Sequence, residues 1–179
     1  MNPLRKPQQP RVRVLMVCLG NICRSPTAEA MLRQHVHAAG LDERVEVDSA
    51  GTADYHVGAP PDRRAIAHGE RRGLAMKRLR ARQVVQADFD RFDFILAMDD
   101  DNLADLRRLR PAGSAARLGL LLAWAPGTGA TQVPDPYHGE AADFERVLDL
   151  VDAACAAFVA DLGPARGRPG ALGPATGRA

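Results

Sequence analysis

The first apolar run of the chain is short and is followed by a helical pattern. Residues 12–17 read VRVLMV, and a β-branched, apolar run of this length is typical of a strand buried on both faces, as in the centre of a parallel sheet. After a turn that contains glycine, apolar residues recur at helical spacing from Ala28 to Ala39, and Gly40 follows them. The pattern predicts an amphipathic helix that ends at a glycine.

Later segments repeat this alternation of strands and helices. A second run at 45–47 ends in DSAG, and a third run, FDFILAM at 92–98, is followed by Asp99. Helical patterns lie near 62–73 and 100–110, and the last helix carries an apolar stripe from Phe144 to Phe158. The order predicts an α/β fold, a three-layer sandwich with a central, mostly parallel four-stranded sheet. In such folds ligands bind beyond the carboxyl ends of the strands.

Length and composition indicate one domain. The chain has 179 residues, of which 46% are hydrophobic and 26% charged, enough to bury one core and too few to expect two. Its first residues are rich in proline and glutamine, and its last stretch is built mainly from Gly, Pro, Ala and Arg. We therefore predict a disordered extension over 1–11, a folded domain over 12–162 and a disordered Gly/Pro/Arg tail over 163–179.

Charge and cysteine content narrow the choice of partners and compartment. The net charge is +2, but without the six basic residues of the two end segments 18 basic residues stand against 22 acidic ones, a charge of −4. This balance gives no electrostatic case for nucleic acid as a partner. The chain shows neither a membrane-spanning apolar run nor a signal peptide, which predicts a cytoplasmic protein with no membrane partner. An odd number of cysteines, three, favours reduced thiols over a disulfide framework.

The segment VCLGNICRSPTAEA places Cys18 and Arg24 where the first strand turns into the first helix. A loop that wraps back on itself there directs backbone N–H groups into one concavity, and the helix N-terminus adds partial positive charge. Five intervening residues let the guanidinium of Arg24 return over the loop and hold two phosphoryl oxygens, which a lysine cannot do. The same field favours the thiolate of Cys18. We therefore predict a phosphate-binding loop formed by Leu19, Gly20, Asn21, Ile22 and Cys23.

Residue types within this segment predict how the loop bends and where the helix begins. Gly20 and Asn21 tolerate left-handed backbone angles, so both are expected at the tightest part of the loop. Ser25 is expected to be the N-cap of the helix, with Pro26 in its first turn.

Displacement of an alcohol from phosphate by a thiolate needs an acid that protonates the leaving group. Asp135 in the segment VPDPYHG is the candidate, because Pro136 keeps it out of helical geometry. The alternative is that Asp135 only forms a turn. No cofactor or metal is predicted: Cys18 and Cys23 lack a second ligand pair, and the acidic run 99–101 is interpreted as a helix cap.

The segments CLGNICRSPTAEA and DPYHG resemble the low-molecular-weight protein tyrosine phosphatases. The similarity extends through VDSAGT, GAPPD, ARQ, FILAMD and DFERVLDLV, and so covers nearly the whole folded domain. It implies an enzyme, a protein-tyrosine-phosphate phosphohydrolase, that works through a phosphocysteine intermediate on Cys18. Arg24 would hold the phosphate, Asp135 would act as general acid and then general base, and Ser25 would hydrogen-bond the sulfur.

The resemblance also implies the surroundings of the reacting atoms. The loop amides would cradle the phosphoryl oxygens, and Tyr55 and Tyr137 would form aromatic walls that favour phosphotyrosine over the shorter phosphoserine. Cys23 would trap an oxidised Cys18 as a reversible disulfide, which makes the enzyme redox-sensitive. The implied partners are a tyrosine-phosphorylated protein, with a tyrosine kinase as one candidate, and inorganic phosphate as the product.

Two positions depart from the family pattern. His138 stands where many members carry a second tyrosine, and Leu79 stands where many carry a histidine that helps to hold the loop asparagine. Ser49 is then the remaining candidate for support of Asn21.

Three other functions are compatible with parts of this pattern. A thioredoxin-coupled arsenate reductase needs two further cysteines, whereas only Cys155 remains, on the apolar stripe of the last helix. A protein-arginine phosphatase carries threonine in the loop where this chain has Ile22. A catalytically silent phosphotyrosine-binding or redox-sensing module would need a defect among catalytic groups that are all present.

Overall fold

A computed structural model of the chain describes residues 11–163. The disorder predicted for 1–11 and 163–179 falls, apart from Arg11 and Gly163, outside the described residues. The strands are β1 (Val12–Cys18), β2 (Val45–Gly51), β3 (Phe94–Ala97) and β4 (Arg117–Leu120). The helices are α1 (Arg24–Ala38), α2 (Arg63–Arg71), α3 (Asp88–Arg91), α4 (Asp100–Leu109) and α5 (Ala141–Leu162), with short 3₁₀ turns at Leu121–Trp124 and Pro126–Thr128.

The four strands form one sheet in the order β2-β1-β3-β4, and every neighbouring pair is parallel. This confirms the predicted α/β sandwich and makes its sheet wholly parallel. At the carboxyl edge, Cys18 lies opposite Gly51 of β2 and Val17 lies opposite Ala97 of β3. The segments that follow β1, β2 and β3 therefore meet at one edge of the sheet.

The apolar run of β1 is explained by burial on both faces of the sheet. Val14 and Met16 belong to a core shared with α1 and α5, whereas Leu15 and Val17 belong to a core shared with α4. All four side chains are fully buried, so the strand has no solvent-facing side on which polar residues would alternate. Within residues 11–163, no helix is both long and apolar enough to cross a membrane.

Two local features differ from the sequence-based expectation. No apolar run indicated β4, because this edge strand has only four residues, RLGL, and is partly exposed. The expectation that Ser25 caps α1 was wrong: the helix begins at Arg24, and its cap residue, Cys23, makes no side-chain capping bond. The hydroxyl of Ser25 instead faces the loop before the helix. The interpretation of the acidic run as a cap is confirmed, since the carboxylate of Asp99 accepts a bond from Asn102 N.

Candidate active site

Cys18 ends the central strand and lies at the base of the loop that leads into α1. Its side chain is only 3% exposed. The backbone N–H of Asn21 donates to the sulfur over 3.3 Å, and the Ser25 hydroxyl oxygen lies 3.0 Å from it. These two polar groups lie beside a sulfur that is otherwise mostly buried, and both can donate to a thiolate.

Asn21 holds the loop in its bent form. Its φ of 53° is left-handed, which costs free energy in a residue other than glycine unless side-chain bonds stabilise it. Its Nδ2 donates to Ser25 Oγ and to Ser49 Oγ, each at 2.9 Å, and its Oδ1 accepts from Arg82 N at 2.9 Å. The asparagine thus connects the loop to β2 and to the segment around Arg82.

The other predicted bend, Gly20, does not have a positive φ. A Cβ at this position would lie 3.0 Å from Cδ2 of His56, so the imidazole would have to move by a few tenths of an ångström to admit a larger residue. Ser49, the expected support, lies against Asn21 and donates in turn to Glu29 Oε2 over 2.5 Å. Burial raises the pKa of Glu29, opposed by the hydroxyl of Ser49 and the charge of Arg33. Leu79, the residue that departs from the family's histidine, is partly buried and packs against the core that β1 shares with α1 and α5.

Arg24 is the first residue of α1 and is 3% exposed. Its Nη1 donates to Asp99 Oδ2 at 2.5 Å and to the Val133 carbonyl at 3.3 Å, and its Nη2 donates to Asp135 Oδ2 at 2.9 Å. Burial disfavours its charge, but the negative charges of Cys18 and of the two carboxylates outweigh that effect and raise the pKa of Arg24. Among the bonds to residues 11–163, three of the five guanidinium donors are occupied, so two are free for a ligand.

Asp135 lies opposite the loop, and its side chain is partly exposed. Its second oxygen accepts from the Tyr137 backbone N–H at 3.1 Å, a local turn that Pro136 favours. Two residues earlier, Val133 N donates to the Met98 carbonyl at 2.8 Å. Residues 133–138, called the acid loop below, are therefore attached to the end of β3, and they contact the candidate site through Arg24.

Asp99 is a site residue that sequence reasoning missed. It caps α4 and at the same time forms an ion pair with Arg24. Its position directly after the apolar run of β3 was the available signal, since β3 neighbours β1 and their carboxyl ends coincide. The sequence pattern predicts only the local capping role for Asp99.

A cavity of about 240 Å³ opens above the sulfur. Tyr55, 74% exposed, and Tyr137, 41% exposed, both line it. His138 packs edge-on against the Tyr137 ring at 4.9 Å. A second imidazole, that of His56, also lines the cavity and was not predicted. The full lining is Cys18, Leu19, Gly20, Ile22, Cys23, Arg24, Tyr55, His56, Asp135, Tyr137 and His138.

The other two cysteines are buried free thiols. Burial, followed by the negative charges of Asp62 and Cys18, raises the pKa of Cys23 to about 12. Cys155 is fully enclosed in α5, and burial raises its pKa as well. Both therefore remain protonated near neutral pH.

Comparison with known proteins agrees with this geometry. The family described as low molecular weight phosphotyrosine protein phosphatase matches residues 13–166. The human low molecular weight phosphotyrosine protein phosphatase is 42% identical over 154 residues, which cover 85% of this chain and 96% of the human protein.

Solved structures show the same similarity. A protein tyrosine phosphatase from Entamoeba histolytica, crystallised with Hepes in its active site, superposes with a TM-score of 0.81 at 38% identity, covering 84% of this chain and 96% of that one. A Drosophila arginine phosphatase superposes with a TM-score of 0.79 at 29% identity, covering 86% of this chain and 99% of that one.

Proposed function

The chain belongs to the low molecular weight phosphotyrosine protein phosphatases, which are hydrolases, and from this premise we propose that it hydrolyses phosphotyrosine in proteins through a phosphocysteine on Cys18. One observation carries the proposal. The sulfur of Cys18 lies at the base of a loop that supplies donors to it, while Arg24 and Asp135 face the same cavity. A nucleophile, an anion-binding group and an acid thus converge on one point.

In the first step, the thiolate of Cys18 attacks phosphorus and the bond to the tyrosine oxygen breaks. The loop N–H groups and the two free donors of Arg24 bind the phosphoryl oxygens. The bound dianion displaces the Asp135 carboxylate from Nη2 of Arg24; this carboxylate then takes up a proton from solvent beside the dianion, and the resulting carboxyl gives that proton to the departing phenolate. The products are a tyrosine side chain and phosphocysteine.

In the second step, Asp135 takes a proton from water, the water oxygen attacks phosphorus, and the S–P bond breaks. The Cys18 thiolate and inorganic phosphate result. The leaving thiolate is stabilised by the Ser25 hydroxyl, 3.0 Å from the sulfur, and by the Asn21 N–H. Protonated Asp135 is then ready for the next cycle.

The lining of the cavity supports an aromatic substrate. Tyr55 and Tyr137 offer ring surfaces at the mouth, and the apolar Ile22 lines the pocket, so a phenyl ring would contact apolar groups on its way to the loop. The Drosophila neighbour makes phosphoarginine the alternative to test, although Ile22 offers no polar group to a guanidinium. The proposed partner is a tyrosine-phosphorylated protein, a tyrosine kinase among the candidates, in the cytoplasm, where thiols stay reduced.

The direct test measures hydrolysis of p-nitrophenyl phosphate by the full chain with reductant and EDTA present. We expect turnover that EDTA does not reduce. Peptides carrying phosphotyrosine, phosphoserine or phosphoarginine then define the substrate, and we expect the phosphotyrosine peptide to give the highest kcat/KM. Absence of turnover by the reduced enzyme between pH 5 and 8 would favour the binding or redox module instead, and a higher kcat/KM on phosphoarginine would favour an arginine phosphatase.

Replacing Asp135 by alanine should affect substrates according to their leaving groups. General acid catalysis contributes on the order of 10² to 10⁴, and nitrophenolate needs little protonation whereas phenolate needs much. We expect kcat/KM for phenyl phosphate to fall by about 10²-fold or more and that for p-nitrophenyl phosphate to fall much less. Asp149→Ala, on exposed α5 surface, serves as the matched control. Equal losses on the two substrates would contradict the role of Asp135.

Recovery from oxidation should be more complete with Cys23 present. Peroxide converts the Cys18 thiolate to a sulfenic acid, and attack by the Cys23 thiolate would form the disulfide and release hydroxide. Because burial raises the pKa of Cys23 to about 12, its thiolate fraction should rise about tenfold per pH unit from pH 7 to 9, and disulfide formation with it. We expect Cys23→Ser to recover less activity with dithiothreitol after peroxide than the parent does. Full recovery of that variant would argue against the disulfide.

A further inference from the structure

Arg64, the second residue of α2, connects two elements of the site although it lies outside the cavity lining. Its Nε and Nη2 donate to the two oxygens of Asp62 at 3.1 and 2.9 Å. The same Nη2 donates to the backbone carbonyl of Tyr137 at 2.9 Å. One guanidinium therefore joins the start of α2 to the acid loop.

Asp62 connects this guanidinium to the phosphate-binding loop. Its backbone N–H donates to the carbonyl of Ile22 at 2.8 Å. Its carboxylate caps α2 by accepting from Arg64 N at 2.7 Å. The side-chain bond from Arg64 is the main reason why the pKa of Asp62 is lowered, so the pair is an ion pair at neutral pH.

Tyr137 connects the guanidinium to the acid. Its N–H donates to Asp135 Oδ1 at 3.1 Å, while its carbonyl accepts from Arg64. The guanidinium also lies 5.7 Å from the centroid of the Tyr137 ring and 4.8 Å from that of Phe144, a buried residue of α5. These contacts fix the guanidinium on several sides.

We propose that Arg64 is a positioning residue for the general acid. It holds the acid loop in a fixed position relative to the phosphate-binding loop. The two loops are joined by consecutive hydrogen bonds from Ile22 to Asp62, Arg64, Tyr137 and Asp135. The inference rests on the proposed role of Asp135. A planar fork is required, because one group must donate to a carboxylate and a carbonyl while its face rests on an aromatic ring. Lysine has a single charged nitrogen and cannot make all these contacts.

The consequence is specific to proton transfer. Without Arg64 the phosphate-binding loop keeps its bonds through Asn21 and Ser49, so binding of phosphate should persist. The position of the Asp135 carboxyl relative to the leaving oxygen should become less well defined, and small displacements of a catalytic group are costly in rate. The loss should therefore depend on how much protonation the leaving group needs.

The experiment compares Arg64→Ala and Arg64→Lys with Arg63→Ala, which removes the neighbouring exposed arginine of the same helix turn. It measures kcat/KM for phenyl phosphate and p-nitrophenyl phosphate, the inhibition constant of inorganic phosphate, and the Tm. For both Arg64 variants we expect kcat/KM for phenyl phosphate to fall about tenfold and that for p-nitrophenyl phosphate less than about threefold. Phosphate inhibition should stay within about twofold of the parent, and Arg63→Ala should match the parent on both substrates.

A second comparison places Arg64→Ala in the Asp135→Ala background. If Arg64 acts through Asp135, the double variant should lose no more on phenyl phosphate than Asp135→Ala alone. Additive losses, equal losses on both substrates, or weaker phosphate binding would overturn the positioning role. If Asp135→Ala shows leaving-group dependence and the Arg64 variants do not, only the role of Arg64 is wrong. If Asp135→Ala itself shows none, the proposed acid is wrong, and the role of Arg64 with it.

Discussion

Replacing Cys18 by serine is expected to reduce turnover of p-nitrophenyl phosphate by at least about 10⁴-fold. The reaction requires an anionic nucleophile at neutral pH. The loop N–H groups, the N-terminus of α1 and the Ser25 hydroxyl favour a thiolate, but they are insufficient to ionise an alcohol. Serine is also a poor leaving group from phosphorus in the second step. Steady-state rates with reductant and EDTA present would measure the loss.

The same variant should still bind phosphate. The groups proposed to hold the oxygens are the loop N–H groups and Arg24, none of which the substitution removes. We therefore expect titration calorimetry with inorganic phosphate to give binding at least comparable to that of the parent, which separates loss of the nucleophile from loss of the fold. Cys155→Ala removes a buried thiol from α5 and should retain turnover. Residual activity of Cys18→Ser above about 1% of the parent would argue against a cysteine nucleophile.

Replacing Arg24 by lysine should lower kcat/KM for p-nitrophenyl phosphate by about 10³-fold. In the structure the guanidinium donates to Asp99, to the Val133 carbonyl and to Asp135, and it must in addition hold a phosphoryl group. An ammonium has three donors on one nitrogen and cannot span these partners. The expected result is a loss in both steps, because each passes through a transition state with charge on the phosphoryl oxygens.

Thermal unfolding provides the second readout for this variant. Phosphate that binds only the folded protein raises the Tm of the parent, and we expect this rise to be lost in Arg24→Lys. Arg33→Lys, on the exposed side of the same helix, keeps charge and helix propensity and should leave the rise intact. A variant Arg24→Lys with kcat/KM within about threefold of the parent would contradict bidentate binding by the guanidinium.

In the proposed mechanism, the ion pairs of Arg24 with Asp99 and Asp135 are the starting point of catalysis. Asp135, the proposed acid, forms an ion pair with the guanidinium that is proposed to bind the phosphate. Asp99 holds the other side of the guanidinium from the end of β3 and need not move. In the proposed mechanism, substrate binding would replace one carboxylate with a phosphoryl group at Nη2, and the freed Asp135 carboxylate would take up a proton next to the leaving oxygen.

Much of the fold was predictable because its signals are local. The buried run of β1, the helical spacing after it and the apolar run of β3 each reflect burial of neighbouring residues. The phosphate-binding loop was predictable for the same reason, since Cys18 and Arg24 belong to one continuous strand–loop–helix segment. The four-stranded sheet was predicted, but the position of edge strand β4 was not, because its four partly exposed residues carry too little pattern.

Polar residues were harder to interpret from the sequence, because one side chain can serve a local and a distant partner. Asp99 shows both: its capping bond is local, whereas its ion pair with Arg24 joins residues 75 positions apart. Serine is a common N-cap residue, yet the hydroxyl of Ser25 contacts the sulfur of Cys18 and accepts a hydrogen bond from Asn21. For Asn21, the absence of a histidine at position 79 suggested weak support, but the backbone N–H of Arg82 supplies a bond that no side-chain pattern reveals.

The sequence by itself thus determined the alternation of strands and helices, the loop that joins Cys18 to Arg24, and the candidate acid Asp135, because each depends on residues adjacent along the chain or on a recognisable motif. Only the tertiary structure decided which distant polar groups meet. The order β2-β1-β3-β4 brings Asp99 and Ser49 to the loop, and the packing of α2 against α5 brings Arg64 to Tyr137. Such contacts depend on the order of strands and the placement of helices in space, which a pattern of neighbouring residues does not encode.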